Sequence, residues 1–257
     1  MIITNGIPLF TAGNAKLPDS TLTFALPSGY TCPGALLCLA RADRLTGRIT
    51  DGPQQQFRCH EASIESLRTN ARQSRWRNFE LIRDLESGPM AELLMAGISA
   101  ARSHKTTHIR WFTGGDCFSP DLRDAIIRCA GFTPELIHYL YTKNLYLWIE
   151  PTENPAGLMR LPMNLRVTAS WGGKFDHLLE AGLFPRTSRV VNTPEEAAAL
   201  GLEIDYTDRL AWQDIPSHFC HLSHGTQPPG SEAGNAIRAR RKAGQFSGYG
   251  RSKHAVQ

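Results

Sequence analysis

Missing from this sequence is any run of the ~18 to 20 apolar residues that a membrane-spanning helix needs. The N-terminus also lacks a basic segment followed by a long apolar one, so neither a membrane partner nor secretion is expected, and the chain is placed in the cytoplasm. No internal repeat and no low-complexity linker divides the 257 residues. They are read as one domain, 1–243, with a short tail, 244–257, whose Gly-Gln-Phe-Ser-Gly-Tyr-Gly-Arg stretch predicts mobility. Acids are absent after Glu232, where Arg238, Arg240, Arg241, Lys242, Arg251 and Lys253 supply six positive charges. Set against a net charge of +4, those six leave the rest of the chain at −2, so any contact with nucleic acid is expected to reside in that basic tail.

What is present is an ordinary globular composition, 41% hydrophobic and 20% charged, which excludes disorder. Thr21 to Leu26 reads as a first strand, stopped by Pro27 and Gly29. Apolar residues from Ile64 to Leu85 recur at three- and four-residue intervals, predicting an amphipathic helix bent near Ser74 and ending at Gly88-Pro89, with a second helix from Met90 to about Arg102. Strands then alternate with helices: His108 to Phe112, Leu136 to Tyr141, Leu165 to Ala169, Ser188 to Val191 and Phe219 to Leu222. Between them lie helices at Asp121 to Cys129, Phe175 to Ala181 and after Thr193-Pro194-Glu195-Glu196, and a last one spans about Ser231 to Lys242. Such alternation implies parallel pairing through right-handed crossovers. The expected fold is a single α/β domain, a partial (β/α) barrel of about six parallel strands with a cysteine-rich loop after the first.

That loop holds Cys32, Cys38 and Cys59, separated by five and by twenty residues. In a cytosolic chain of this size thiols are expected to be buried, catalytic or metal-bound rather than disulfide-linked. Three thiolates suit a soft metal, and neither spacer belongs to the zinc-finger type. Three readings remain open: an iron-sulfur ligand set, a zinc site completed by His60, or three unrelated buried thiols. Cys117, Cys129 and Cys220 read as core.

Gly114-Gly115-Asp116 closes the second predicted strand, where glycines admit a ligand and the carboxylate can meet an ammonium group, or else simply cap a helix. Tyr141, Thr142, Lys143, Ser170 and Asn192 stand at equivalent strand ends, so polar groups gather along one rim. His221 and His224 suggest a metal pair, against which stands the reading of one packed and one rim histidine. The loop Gln227 to Ser231 opens a helix but is too poor in glycine for a P-loop. Arg75-Trp76-Arg77 and Tyr249-Gly250-Arg251 are candidates for stacking on bases, with packing and a solvated face as the alternative at Trp76.

Gly13-Asn14-Ala15-Lys16-Leu17, the run Leu26 to Ala35 (Leu-Pro-Ser-Gly-Tyr-Thr-Cys-Pro-Gly-Ala), Ile109-Arg110 with Gly115 to Ser119, Tyr141-Thr142-Lys143 and His224 to Pro228 together resemble phage proteins of the gene product 88 family, in order over most of the chain. The resemblance implies phage origin and a place in the host cytoplasm, but no activity. The layout more distantly resembles radical S-adenosylmethionine proteins. That second resemblance implies a four-iron four-sulfur cluster on Cys32, Cys38 and Cys59. It also implies S-adenosylmethionine held by Gly114, Gly115 and Asp116 together with Tyr141, Lys143 and Ser170, and an unknown substrate. The familiar loop of those enzymes spaces its cysteines far more closely than five and twenty residues. The competing expectation is a non-catalytic phage binding or regulatory protein, its three-cysteine site structural with zinc or empty, and its basic tail on nucleic acid.

Overall fold

β-Branched and aromatic residues at alternate positions build an eight-stranded sheet in the computed structural model, which describes residues 8–14, 16–153 and 156–245. A short strand β1 (Thr11–Ala12) lies antiparallel to β2 (Thr21–Thr23). The hairpin β3 (Ala40–Ala42) and β4 (Ile49–Asp51) stands apart as its own two-stranded sheet. Helices α1 (His60–Leu67), α2 (Thr69–Ile82) and α3 (Ser87–Ala101) then lead into β5 (His108–Trp111). Next come α4 (Pro120–Phe132), β6 (Ile137–Thr142), β7 (Leu165–Ser170), α5 (His177–Glu180) and β8 (Thr187–Val191). The chain continues through α6 (Pro194–Ala199), β9 (Glu203–Ile204), α7 (Arg209–Trp212), β10 (His218–Leu222) and α8 (Glu232–Lys242). The sheet order is β1-β2-β5-β6-β7-β8-β10-β9, parallel everywhere except at β1. It is an open sheet with β1 and β9 at its edges, not a closed barrel.

The six expected strands all form, and β9 adds a seventh to the parallel set. Two helical expectations need correction. The long helix expected across Ile64 to Leu85 breaks at Arg68, whose extended backbone (φ −124°, ψ 99°) separates α1 from α2. Gly88-Pro89 does not end a helix but lies in the first turn of α3, where proline removes only an amide that has no helical partner. The first strand stops at Thr23 instead of Leu26. Ser119 caps α4 by accepting from the Leu122 amide (3.2 Å), and Thr193 caps α6 by accepting from Glu196 (3.2 Å), as the Ser-Pro and Thr-Pro pairs predict.

The two faces of the sheet differ in chemistry. Leu22, Ile109, Trp111, Leu140, Val167 and Ala169 point to one side and are buried with Leu94, Ile98, Leu122, Ile126 and Cys129 of α3 and α4. Each large aliphatic side chain so removed from water contributes roughly 1.5–3 kcal/mol. The cross-strand partners Thr23–Arg110–Tyr139 and Ser170–Ser188 carry the other parity, which is polar and aromatic. At one end of that face, Leu210 and Ala211 of α7 close on Tyr139 and Phe219. Among the described residues no helix is long and apolar enough to cross a membrane. Of the tail, Phe246 to Gln257, including Tyr249-Gly250-Arg251 and Lys253, lie outside the described residues.

Candidate active-site cavity

The polar face opens into a cavity of about 720 Å³, within the range of small-molecule sites. Its wall is drawn from Thr23, Arg110, Tyr141, Ser170, Ser188 and His221 on successive strands, and from Thr113, Lys143, Trp171, Ser223 and His224 just past the strands' carboxyl ends. That is the edge at which parallel α/β sheets place ligands. Cys38, Cys59, His60 and Glu61 line it from the side of the cysteine-bearing segments.

Deep in the cavity Asp208 is the meeting point. It is a non-glycine residue in the left-handed region (φ 65°), held there because the Asp205 carboxylate accepts from the amides of Thr207 (2.9 Å) and Leu210 (2.8 Å). Lys16 forms an ion pair with Asp208, Arg110 Nε donates to it at 3.1 Å, and the Tyr141 hydroxyl donates at 3.2 Å. Burial alone would raise the Asp208 pKa, but Lys16, Arg110 and His221 outweigh it and hold the carboxyl well below the usual carboxylate range. Lys16 is aimed by a turn in which Asn14 Oδ1 accepts from the amides of Lys16 and Leu17, both at 2.8 Å, next to Gly13 (φ 59°). His221 Nδ1 lies 3.1 Å from the Asp205 carbonyl and His224 Nδ1 lies 3.0 Å from the Leu222 carbonyl. A carbonyl only accepts, so both rings carry a proton on Nδ1, and burial pushes each pKa down to about 3. Both histidines therefore line the cavity as neutral rings, and His224 packs against His60 with centroids 4.7 Å apart.

The three cysteines are each half-buried and stand within one another's electrostatic reach. Burial raises the Cys32 pKa first, Asp116 and Cys59 raise it further, and the Gly29 amide, donating to Cys32 Sγ at 3.2 Å, opposes them. Cys59 stands immediately before α1, and burial with the nearby Cys38 pushes its thiol up to about 12. Burial also raises Cys38, against the pull of Lys143. Among the described residues, no group of three or more His, Cys, Asp or Glu side chains is placed to hold a metal ion.

The rest of the predicted rim divides in two. Tyr141, Lys143 and Ser170 line the cavity with Cys38 and Cys59; Gly114, Gly115, Asp116 and Cys32 do not. Asp116 accepts from the amides of Cys117 (2.7 Å) and Lys143 (2.8 Å), and burial lifts its pKa to about 6. A Cβ on Gly115 (φ 78°) would lie 2.5 Å from Thr31 Oγ1, and one on Gly114 would lie 2.9 Å from the Arg75 guanidinium, so both glycines serve close packing around the first cysteine segment. Arg75 itself is buried between Glu61 and Glu65, and Trp76 packs on Tyr30 (4.9 Å) and Phe79 (5.9 Å), which takes two of these residues into internal contacts. Arg240 is buried too, and donates to the carbonyls of Asn192 (2.8 Å) and Ser223. Cys117, Cys129 and Cys220 are core residues, as their helix and strand positions predict.

Sequence reasoning missed Lys16, Arg110, Asp208, Ser188 and Arg189 as cavity residues. For Arg110 and Ser188 the available signal was a polar residue at an alternate position of an otherwise apolar strand, which a solvent-facing strand shows equally well; Lys16 and Asp208 lie in turns, outside any such pattern.

The gene product 88 family model matches residues 8–245, and the chain belongs to that family. No curated protein and no solved structure matches it.

Proposed function

We propose that this member of the gene product 88 family is an enzyme that binds a small molecule in the cavity, with Cys32, Cys38 and Cys59 holding an iron-sulfur cluster beside it in the manner of radical S-adenosylmethionine enzymes. The observation that supports this most directly is that the cysteine segments, remote in sequence, are each clamped to a strand end at the cavity. A Cβ on Gly34 would lie 2.1 Å from the Lys143 carbonyl oxygen, and one on Gly225 (φ 77°) would lie 2.4 Å from His60 Nδ1. Gln227 accepts from the Arg58 amide (2.6 Å) and donates to the carbonyls of Arg58 (3.1 Å) and His224 (2.8 Å), tying the residue before Cys59 to the end of β10. Three half-buried thiols, each with its pKa raised first by desolvation, are unfavourable as thiolates alone and would be favourable around a cation, which replaces their protons. The three thiols are not gathered as a ligand group among the described residues, so this reading requires them to draw together on loading; a cluster on them would supply one-electron chemistry.

S-adenosylmethionine is the co-substrate of this reading, with Tyr141, Lys143 and Ser170 on the wall available to it. The open, mostly parallel sheet carries the cavity at its strands' carboxyl ends, and Cys38 and Cys59 line it. The chain's own residues would bind and orient the substrate, and the cavity wall would exclude water.

Anaerobic purification followed by iron, sulfide and zinc analysis tests the proposal. Iron and sulfide with a broad visible absorption are expected in the wild type, and loss of both in Cys32→Ala, Cys38→Ala and Cys59→Ala. A folded, colourless wild type carrying stoichiometric zinc would overturn it in favour of a structural staple.

A further inference from the structure

Charge is unevenly spread along this chain. Residues 40–83 hold nine arginines and no lysine against five acids, a net of +4 that equals the net charge of the whole protein. They fold into β3, β4, α1 and α2, and the hairpin lies along one face of α2. On that face Arg72, Trp76 and Glu80 follow at four-residue spacing. Arg72 Nε donates to the Arg44 carbonyl (3.0 Å), the Arg44 guanidinium carbon lies 5.1 Å from the centroid of the Trp76 ring, and Arg44 pairs with Glu80 (2.5 Å). Trp76 packs in turn on Tyr30 with centroids 4.9 Å apart, and the Arg41 guanidinium carbon lies 5.4 Å from the Tyr30 centroid. The result is a continuous row, Arg41-Tyr30-Trp76-Arg44, in which Tyr30 is 42% exposed and both arginines are exposed. Ala40 and Ala42 are buried while Arg41 and its cross-strand partner Thr50 are exposed, so the outer face of the hairpin is open to solvent.

Arg41, Arg48 and Arg68 have no carboxylate within ion-pair distance among the described residues. Asp43 is taken up by its own turn, where Oδ1 accepts from the amides of Leu45 (3.1 Å) and Thr46 (2.7 Å). Arg48 and Arg68 are exposed on two segments that meet, since a Cβ on the neighbouring Gly47 would lie 2.8 Å from the Ser66 carbonyl oxygen. The planar guanidinium fork matches phosphate oxygens. An exposed aromatic ring beside such cations offers an unpaired base a stacking partner, which a duplex, its bases already stacked, has no use for. A lipid surface draws on lysine as readily as arginine, and this segment has no lysine.

We infer that Tyr30, the outer face of the β3-β4 hairpin and the junction of α1 with α2 form a binding surface for single-stranded nucleic acid. Tyr30 stacks on a base, and Arg41, Arg48 and Arg68 meet phosphates. The surface is distinct from the basic tail, and it does not rest on the cluster or on the ligand of the cavity.

The test is fluorescence anisotropy of the purified full chain with labelled oligothymidylate and oligouridylate of about 20 nucleotides, and with a duplex of equal length, at about 50 and about 200 mM chloride. The wild type should bind a single strand more tightly than the duplex, and the tighter of the two single strands names DNA or RNA. Arg41→Gln/Arg48→Gln/Arg68→Gln should keep the melting temperature, weaken binding by at least about tenfold and flatten the salt slope by about two. Tyr30→Leu should weaken binding by about fivefold or more. Arg251→Gln/Lys253→Gln, which alters only the tail, should leave the dependence on the three arginines in place. No binding by the wild type, equal binding by the wild type and the triple variant, or loss in the tail variant alone overturns the inference. A duplex bound as tightly as the single strands, with no effect of Tyr30→Leu, overturns it as well. So does arginine-dependent binding to phosphatidylserine vesicles in place of the oligonucleotides, which would assign the exposed Leu45 and Leu67 to a membrane surface. Iron and sulfide content should be the same in the wild type and the triple variant, so this result and that of the cluster are read separately.

Discussion

Gly34 approaches Lys143 so closely that a Cβ on the glycine would stand 2.1 Å from the Lys143 carbonyl oxygen. The contact joins the segment between Cys32 and Cys38 to the end of β6, and so to the cavity wall. The Lys174 amide reinforces it by donating to the Gly34 carbonyl at 2.9 Å.

Gly34→Ala is therefore expected to destabilise the fold by about 3 kcal/mol in urea denaturation, because backbone on both sides must move. Gly88→Ala is the control: nothing lies within 4 Å of a Cβ there, and the residue sits in the first turn of α3. That change should be neutral or stabilise by up to about 1 kcal/mol. Equal effects of the two substitutions would contradict the packing argument.

Asp208→Asn removes the charge that Lys16 and Arg110 share while keeping a side chain that tolerates the left-handed backbone. Leaving two partly buried cations without their carboxylate should cost about 3 to 5 kcal/mol in the same assay. Because the folded carboxyl titrates below its unfolded value, its contribution is present above the ordinary carboxylate pKa and fades as pH falls beneath it. The variant should accordingly lose a component of acid sensitivity that the wild type shows below about pH 4.

Glu65 is fully buried and accepts from the Ser28 amide (2.9 Å) and from Arg75 (2.7 Å). Replacing it by glutamine weakens one of two carboxylates around Arg75 and loosens the turn that leads into Cys32. A loss of about 3 kcal/mol is expected by thermal or chemical unfolding. A loss under about 1 kcal/mol would mean that Glu61 alone neutralises Arg75.

His138 is fully buried away from the cavity, with Trp111 Nε1 donating to its Nδ1 at 3.2 Å and Thr133 Oγ1 lying 2.8 Å from its Nε2. Indole is only a donor, so Nδ1 must hold a lone pair, and burial pushes the pKa down to about 3 from 6.5. The unfolded chain takes up a proton below its own pKa that the folded chain refuses, so stability falls as pH drops from about 6.5 toward about 3. This histidine alone should remove about 2 kcal/mol between pH 7 and pH 5. Its imidazole resonances should stay unshifted over that range; titration near the ordinary histidine pKa would refute the assignment.

Local pattern determined much of this protein. Alternating strands and amphipathic helices, caps at Ser119 and Thr193, and glycine-bearing strand ends are written in short-range periodicity and turn chemistry, and they led to a parallel α/β sheet and to Tyr141, Lys143 and Ser170 at its edge. The family, too, was legible from short motifs such as Gly13 to Leu17 and His224 to Pro228. Only the tertiary structure explained what those motifs do. Asn14 aims Lys16 at Asp208, and Gly225 and Gln227 pin His60 and Arg58. The convergence of Lys16, Arg110, Tyr141 and Asp208 was invisible in the chain because such meetings are decided by crossovers and turn closure between residues up to 192 apart, not by local spacing. The break at Arg68 was hidden for a related reason: helix periodicity continues across it, and the bend is imposed by burying Arg72 and Arg75 against Glu65 and the loop that contains Arg44.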